Sequence, residues 1–143
     1  MKIERFEDIN AWQLARGLTR EVYAFTGEGD FSRDFGLRDQ IRRAAGSVMH
    51  NIAEGFDAGS DAEFTRFLRY AQRSCTEVQS ELYVALDQKY LNEQQFNQLY
   101  ELSNSIHSKI GGFIKYLKQS VSPSSKTVPS PLSKLTKDEL TKN

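Results

Sequence analysis

The stretch from Ser60 to Asp87, SDAEFTRFLRYAQRSCTEVQSELYVALD, decides the fold. Its apolar residues Phe64, Leu68, Ala71, Cys75, Val78, Leu82 and Ala85 return at alternating steps of four and three, a heptad seam that a helix places on one face. Ser60 followed three residues later by Glu63 reads as a capping box, in which hydroxyl and carboxylate each take an orphaned amide of the first turn. The spacing predicts a helix from there to about Asp87.

The same pattern extends outward on both sides. Leu37, Ile41, Ala44, Val48, Ile52 and Gly55 form the seam of a second helix, and Phe96, Leu99, Ser103, Ile106, Ile110, Phe113 and Leu117 that of a fourth, which Asn92 and Gln95 start. A first helix, roughly Ile9 to Thr26, carries Trp12, Ala15, Thr19 and Val22 on one stripe and Leu14, Leu18 and Phe25 on another, which predicts burial on two sides; Gly27 ends it. The connections, Gly27 to Gly36, Asp57 to Gly59 and Lys89 to Leu91, are short enough to force neighbours antiparallel. The expected fold is all-α, an up-down-up-down antiparallel four-helix bundle.

All three prolines, Pro123, Pro129 and Pro131, lie beyond residue 120 among serines, whereas residues 1–118 contain none. Proline breaks helix interiors and polar segments bury too little to order themselves, so the expected division is a bundle over 1–118 and a flexible Ser/Pro/Lys-rich tail over 119–143. Leu132, Leu135 and Leu140 are the tail residues by which its end would dock as a short helix. A chain of 143 residues is the size of one domain. Nineteen basic and nineteen acidic side chains cancel, so nucleic-acid or membrane binding must come from a local patch and not from the field of the whole molecule. The start, Met1-Lys2-Ile3-Glu4-Arg5, lacks the apolar run of a signal peptide, and no stretch approaches the roughly 20 apolar residues of a membrane span. One cysteine, Cys75, forms no internal disulfide, and the expected location is the cytoplasm.

Little in the sequence points to catalysis. A di-iron bundle needs Glu-x-x-His pairs, but Ser47 precedes His50 by three and Asn104 precedes His107. One cysteine and two histidines give no zinc spacing, and no phosphate loop or nucleophile elbow appears, so no metal, no cofactor and no catalytic residue is expected. Cys75 lies on the seam of the third helix, where a buried apolar thiol is the simpler reading. Arg43 and His50 have the spacing of the arginine–histidine pair in helical ribonucleases of the HEPN group, and they would share one helix face. Ser47 and Glu54 continue that stripe, so an ordinary polar face explains it more simply.

The arginines are more informative. Arg66, Arg69 and Arg73 fall within an arc of about 60° opposite the seam and therefore face outward together. Arg38 and Arg42 make a second pair one turn apart. Such clusters bind phosphates and make affinity salt dependent; the alternative is a solvated face balanced by Glu63 and Glu77. On the second helix, Ala45, Met49 and Phe56 flank the seam and widen the apolar arc beyond what one core needs, which predicts an oligomer interface.

Three stretches taken together, Phe6 to Ala15, Gly36 to Gly55 and Glu63 to Glu77, with the blocks Gln-Ile-Arg-Arg-Ala-Ala (40–45) and Asn-Ile-Ala-Glu-Gly (51–55), resemble the four-helix-bundle proteins encoded in intervening sequences of 23S ribosomal RNA genes. The resemblance covers nearly all of residues 3–118. It implies a homopentamer, and a relation to the accessory proteins of diversity-generating retroelements, which bind a reverse transcriptase and nucleic acid. No catalytic residue comes with it. The expected function is a non-enzymatic, ring-forming protein that binds RNA, DNA or a nucleic-acid enzyme through Arg66, Arg69 and Arg73, with Arg38 and Arg42 as further contacts. The alternatives are a purely protein-binding adaptor and the ribonuclease built on Arg43 and His50.

Overall fold

The computed structural model describes residues 3–119. After a 3-10 turn at Phe6–Asp8 come α1 (Asn10–Thr26), α2 (Phe35–Phe56), α3 (Asp61–Asp87) and α4 (Glu93–Gln119), with a second 3-10 turn at Gly29–Arg33 between α1 and α2. The helices pack in the cyclic order α1, α2, α3, α4, each against its two neighbours and without substantial contact across the diagonals. This is the antiparallel four-helix bundle that the heptad seams predict. The tail read from the sequence at 119–143, with Leu132, Leu135 and Leu140, lies outside the described residues, apart from Gln119, the last residue of α4.

Every seam residue of α2, α3 and α4 is buried. On α1 one stripe goes inward, Ala11, Ala15, Leu18, Val22 and Thr26, while Trp12, Leu14 and Phe25 are partly buried along its edges. The two expected stripes thus merge into one buried line, because α1 has a core on one side and only rim contacts on the other. Cys75 is fully buried, and loss of solvent pushes its thiol up to about 12, an inert core group.

The helix ends refine the expected caps. At α4 the box is complete: the Gln95 amide donates to Asn92 Oδ1 at 2.8 Å and the Asn92 amide to Gln95 Oε1 at 3.0 Å. At α3 only half of it forms. Ser60 Oγ accepts from the Glu63 amide at 3.2 Å, but the Glu63 carboxylate turns forward to Arg66 at 2.7 Å, since an arginine one turn on is a stronger partner than an exposed amide. The cap of α2 is Asp34, which accepts from the Leu37 amide at 3.1 Å and from the Tyr90 hydroxyl at 3.0 Å. Phe31, buried in the α1–α2 connection, stacks on Tyr90 at 5.1 Å. That connection is therefore an anchored strap, tied to the α3–α4 loop at the same end of the bundle.

Candidate nucleic-acid interface

The outward ridge of α3 carries Arg66, Arg69 and Arg73, all exposed, opposite the Phe64–Leu68–Ala71 seam. Their settings differ. Arg66 is held by Glu63 at 2.7 Å, an exposed pair that screens its charge without abolishing it. Arg69 and Arg73 are in none of the ion pairs among the described residues. Between them on the ridge stands Tyr70, 38% exposed, with the guanidinium carbons of Arg66 and Arg73 at 6.0 and 5.9 Å from its ring centre. Phe67 meets Tyr70 edge-on at 6.0 Å. Guanidinium groups beside an aromatic ring are the materials of nucleic-acid contact, charge for phosphates and a flat face for bases.

On its α4 side the ridge falls into a cleft of about 200 Å³ lined by Arg69, Gln72, Arg73, Thr76 and His107. The Gln72 amide donates to the His107 carbonyl at 3.1 Å and ties the two helices together there. Gly111 leaves this contact room: a Cβ there would stand 3.1 Å from the same amide nitrogen, a tight approach.

The second arginine pair is elsewhere and otherwise engaged. Arg42 Nε donates to the buried Thr26 hydroxyl at 2.7 Å and its guanidinium lies 4.4 Å from the Tyr23 ring centre. Arg38 pairs with Asp39 at 3.0 Å, donates to the Ser32 carbonyl at 3.1 Å and lies 4.8 Å from the Phe35 ring. Both clamp the α1–α2 edge. Since α1 and α3 are diagonal, that edge lies on the far side of the bundle from the α3–α4 cleft, so the five arginines do not form one surface.

On α2, Arg43 and His50 are both exposed, and the charge of Arg43 reaches Glu81 of α3. Ser47 meets Ser74 across the same boundary at 2.8 Å and accepts from Asn51 at 2.9 Å. Glu81, one heptad after Ser74, is only 8% exposed, and its Oε2 has no hydrogen-bond partner among the described residues. Burial first, then the charge and hydrogen bond of Glu77, push its carboxyl up to about 7, with Arg43 opposing.

The three residues expected to flank the seam for a second chain divide as well. Ala45 is fully buried inside the single chain, so that expectation is corrected: it has no surface to offer a second chain. Met49 and Phe56 are half-buried against the core, and Phe56 lines a cleft of about 580 Å³ with Phe6, Ala53 and Asp57. Among the described residues no group of His, Cys, Asp and Glu is placed to hold a metal ion, and no helix is long and apolar enough to cross a membrane.

From the sequence, His107 is weighed only as a metal ligand, and Tyr70 and Glu81 are given no role. Tyr70 had a signal, an aromatic between outward arginines. His107 had none, because it reaches the cleft from a helix 35 residues away from Gln72.

A solved structure of a protein of unknown function from the S23 ribosomal protein family of Bacteroides thetaiotaomicron shares the fold, with a TM-score of 0.67 at 22% identity over 73% of this chain and 98% of the other. No curated protein matches the sequence. The sequence profile of the 23S rRNA-intervening sequence proteins matches residues 7–112, which include α1, α2, α3 and most of α4. With the bundle in place and nearly three quarters of its length matched, the chain belongs to the 23S rRNA-intervening sequence protein family.

Proposed function

We propose that this protein is a non-enzymatic binding protein that assembles into a homopentameric ring and holds RNA or DNA against the outward ridge of α3. The observation that carries the reading is the exposure of Arg66, Arg69 and Arg73 on one ridge, two of them without a carboxylate partner among the described residues. In a ring each protomer presents the same ridge, so modest single contacts multiply into useful avidity. The ring and the nucleic-acid partner are what the resemblance read from the sequence implies; a reverse transcriptase is the enzyme that a retroelement relation would bring.

The test is fluorescence anisotropy of labelled RNA and DNA with the full chain and with Arg66, Arg69 and Arg73 changed together to glutamine. The expected result is salt-sensitive binding that the triple variant loses while its helicity and size stay unchanged. Light scattering should return a pentamer of the 16.3 kDa chain; a single chain mass would remove the ring. A second reading, a protein-binding adaptor, is favoured by the exposed Phe35, Tyr83 and Val84. It becomes the better account if the wild type binds no RNA or DNA.

A further inference from the structure

The cleft beside the ridge has features that an ordinary solvated face does not need. Its five lining residues include no carboxylate, although carboxylates hold Arg33, Arg38 and Arg66 at 2.7–3.0 Å. Arg69 and Arg73 stand one turn apart on α3, and His107 faces them from α4. Glu77, one turn beyond Arg73, is not among the lining residues, and its charge instead helps to raise the carboxyl of Glu81. The bond from Gln72 to the His107 carbonyl, made over Gly111, fixes the spacing of the two walls. Thr76 donates back to the Gln72 carbonyl at 3.3 Å, so its proton is engaged and it serves only as wall.

We infer that this cleft is a seat for one phosphate group, held by the Arg69 and Arg73 guanidinium groups from α3 and by the His107 ring N–H from α4. Guanidinium forks match the oxygens of a phosphate, and an imidazole presents an N–H donor in either protonation state. A cleft of about 200 Å³ has room for a phosphate and a few waters. The inference deepens the reading of the α3 ridge as a nucleic-acid surface and rests on it for the source of the phosphate, the backbone of a polynucleotide. It adds a residue of α4 to a surface otherwise made by α3 alone.

The experiment combines anisotropy of labelled oligouridylate with nuclear magnetic resonance of the histidine side chains of the full-length protein, titrated separately with oligouridylate and with inorganic phosphate. Oligouridylate should shift the His107 resonance, and His107→Ala should weaken binding roughly tenfold, since a hydrogen-bond donor to the phosphate is removed. His107→Gln, which keeps an N–H donor, should recover part of the loss, and a melting curve shows that both variants fold. Arg69→Gln with Arg73→Gln should lower the salt slope. If His107→Ala binds like wild type and its resonance stays still while the triple arginine variant loses binding, the cleft is not a seat and the nucleic-acid reading stands. If inorganic phosphate moves His107 and no oligonucleotide binds, the seat stands with free phosphate as its ligand and the nucleic-acid reading falls. If neither ligand binds, both fall.

Discussion

A Cβ placed on Gly55 of α2 would stand 2.7 Å from the Cβ of Phe67 on α3, closer than real Cβ atoms come. It would also stand 2.9 Å from the Phe64 ring and 3.3 Å from the Phe64 carbonyl. The glycine that ends the Asn51–Gly55 block is therefore where the two helices come together, just before the turn that joins them.

The consequence is opposite in sign to helix propensity. Gly55→Ala should lower stability by about 1–3 kcal/mol through overpacking, although alanine is the better helix former by about 1 kcal/mol. Gly17, on α1, has nothing within 4 Å of its would-be Cβ, and Gly17→Ala should raise stability by about 0.5–1 kcal/mol. Urea denaturation of the two variants checks both signs. Equal shifts in one direction would contradict the close approach at Gly55.

The end of α3 holds a lysine where a glycine would be easier. Lys89 has φ +63°, its amide donates to the Leu86 carbonyl at 3.0 Å, and the Tyr90 amide donates to Ala85 at 2.9 Å, the paired bonds of a Schellman turn. A side chain in the left-handed region costs about 1 kcal/mol. Lys89→Gly should raise the melting temperature by several degrees, equivalent to about 0.5–1 kcal/mol, measured by circular dichroism.

Glu81 makes stability depend on pH in a direction unusual for a carboxylate. Its folded-state carboxyl is raised from 4.5 to about 7, so between those values the folded chain holds a proton that the unfolded chain has lost. Stability from this group therefore falls as pH rises through that window and is lowest above it. Glu81→Gln should leave the melting temperature nearly unchanged below the window and raise stability by about 1–3 kcal/mol above it. Melts of both proteins at the two ends of the window decide; a pH-independent difference would show that the carboxyl does not titrate there.

Arg42 is a structural arginine by its contacts. Arg42→Ala strips the bond to the Thr26 hydroxyl and the cover over Tyr23, and should cost about 1–2 kcal/mol. It should leave the salt slope of oligonucleotide binding unchanged, because it lies across the bundle from Arg69 and Arg73. A lower slope would return Arg42 to the binding surface.

The bundle was legible in the chain because burial of one helical face is a local, periodic demand. Phe64 to Ala85, Leu37 to Gly55 and Phe96 to Leu117 each declare their inward side without reference to any other helix. Caps are equally local, which is why Asn92 and Gln95 could be read directly. The outward arc of Arg66, Arg69 and Arg73 followed from the same periodicity. What tertiary structure alone decided lies along the flanks of the seams, where exposure depends on which neighbour stands beside the helix. Arg42, which reads as surface, is drawn in by α1, and Ala45 is buried in the single chain; Ser74 and Glu81 are buried on the boundary with α2; and His107 joins the arginines because α4 is the other neighbour of α3. Periodicity places a residue at an angle on its own helix, but the angle acquires a partner only when the helices are arranged around one another.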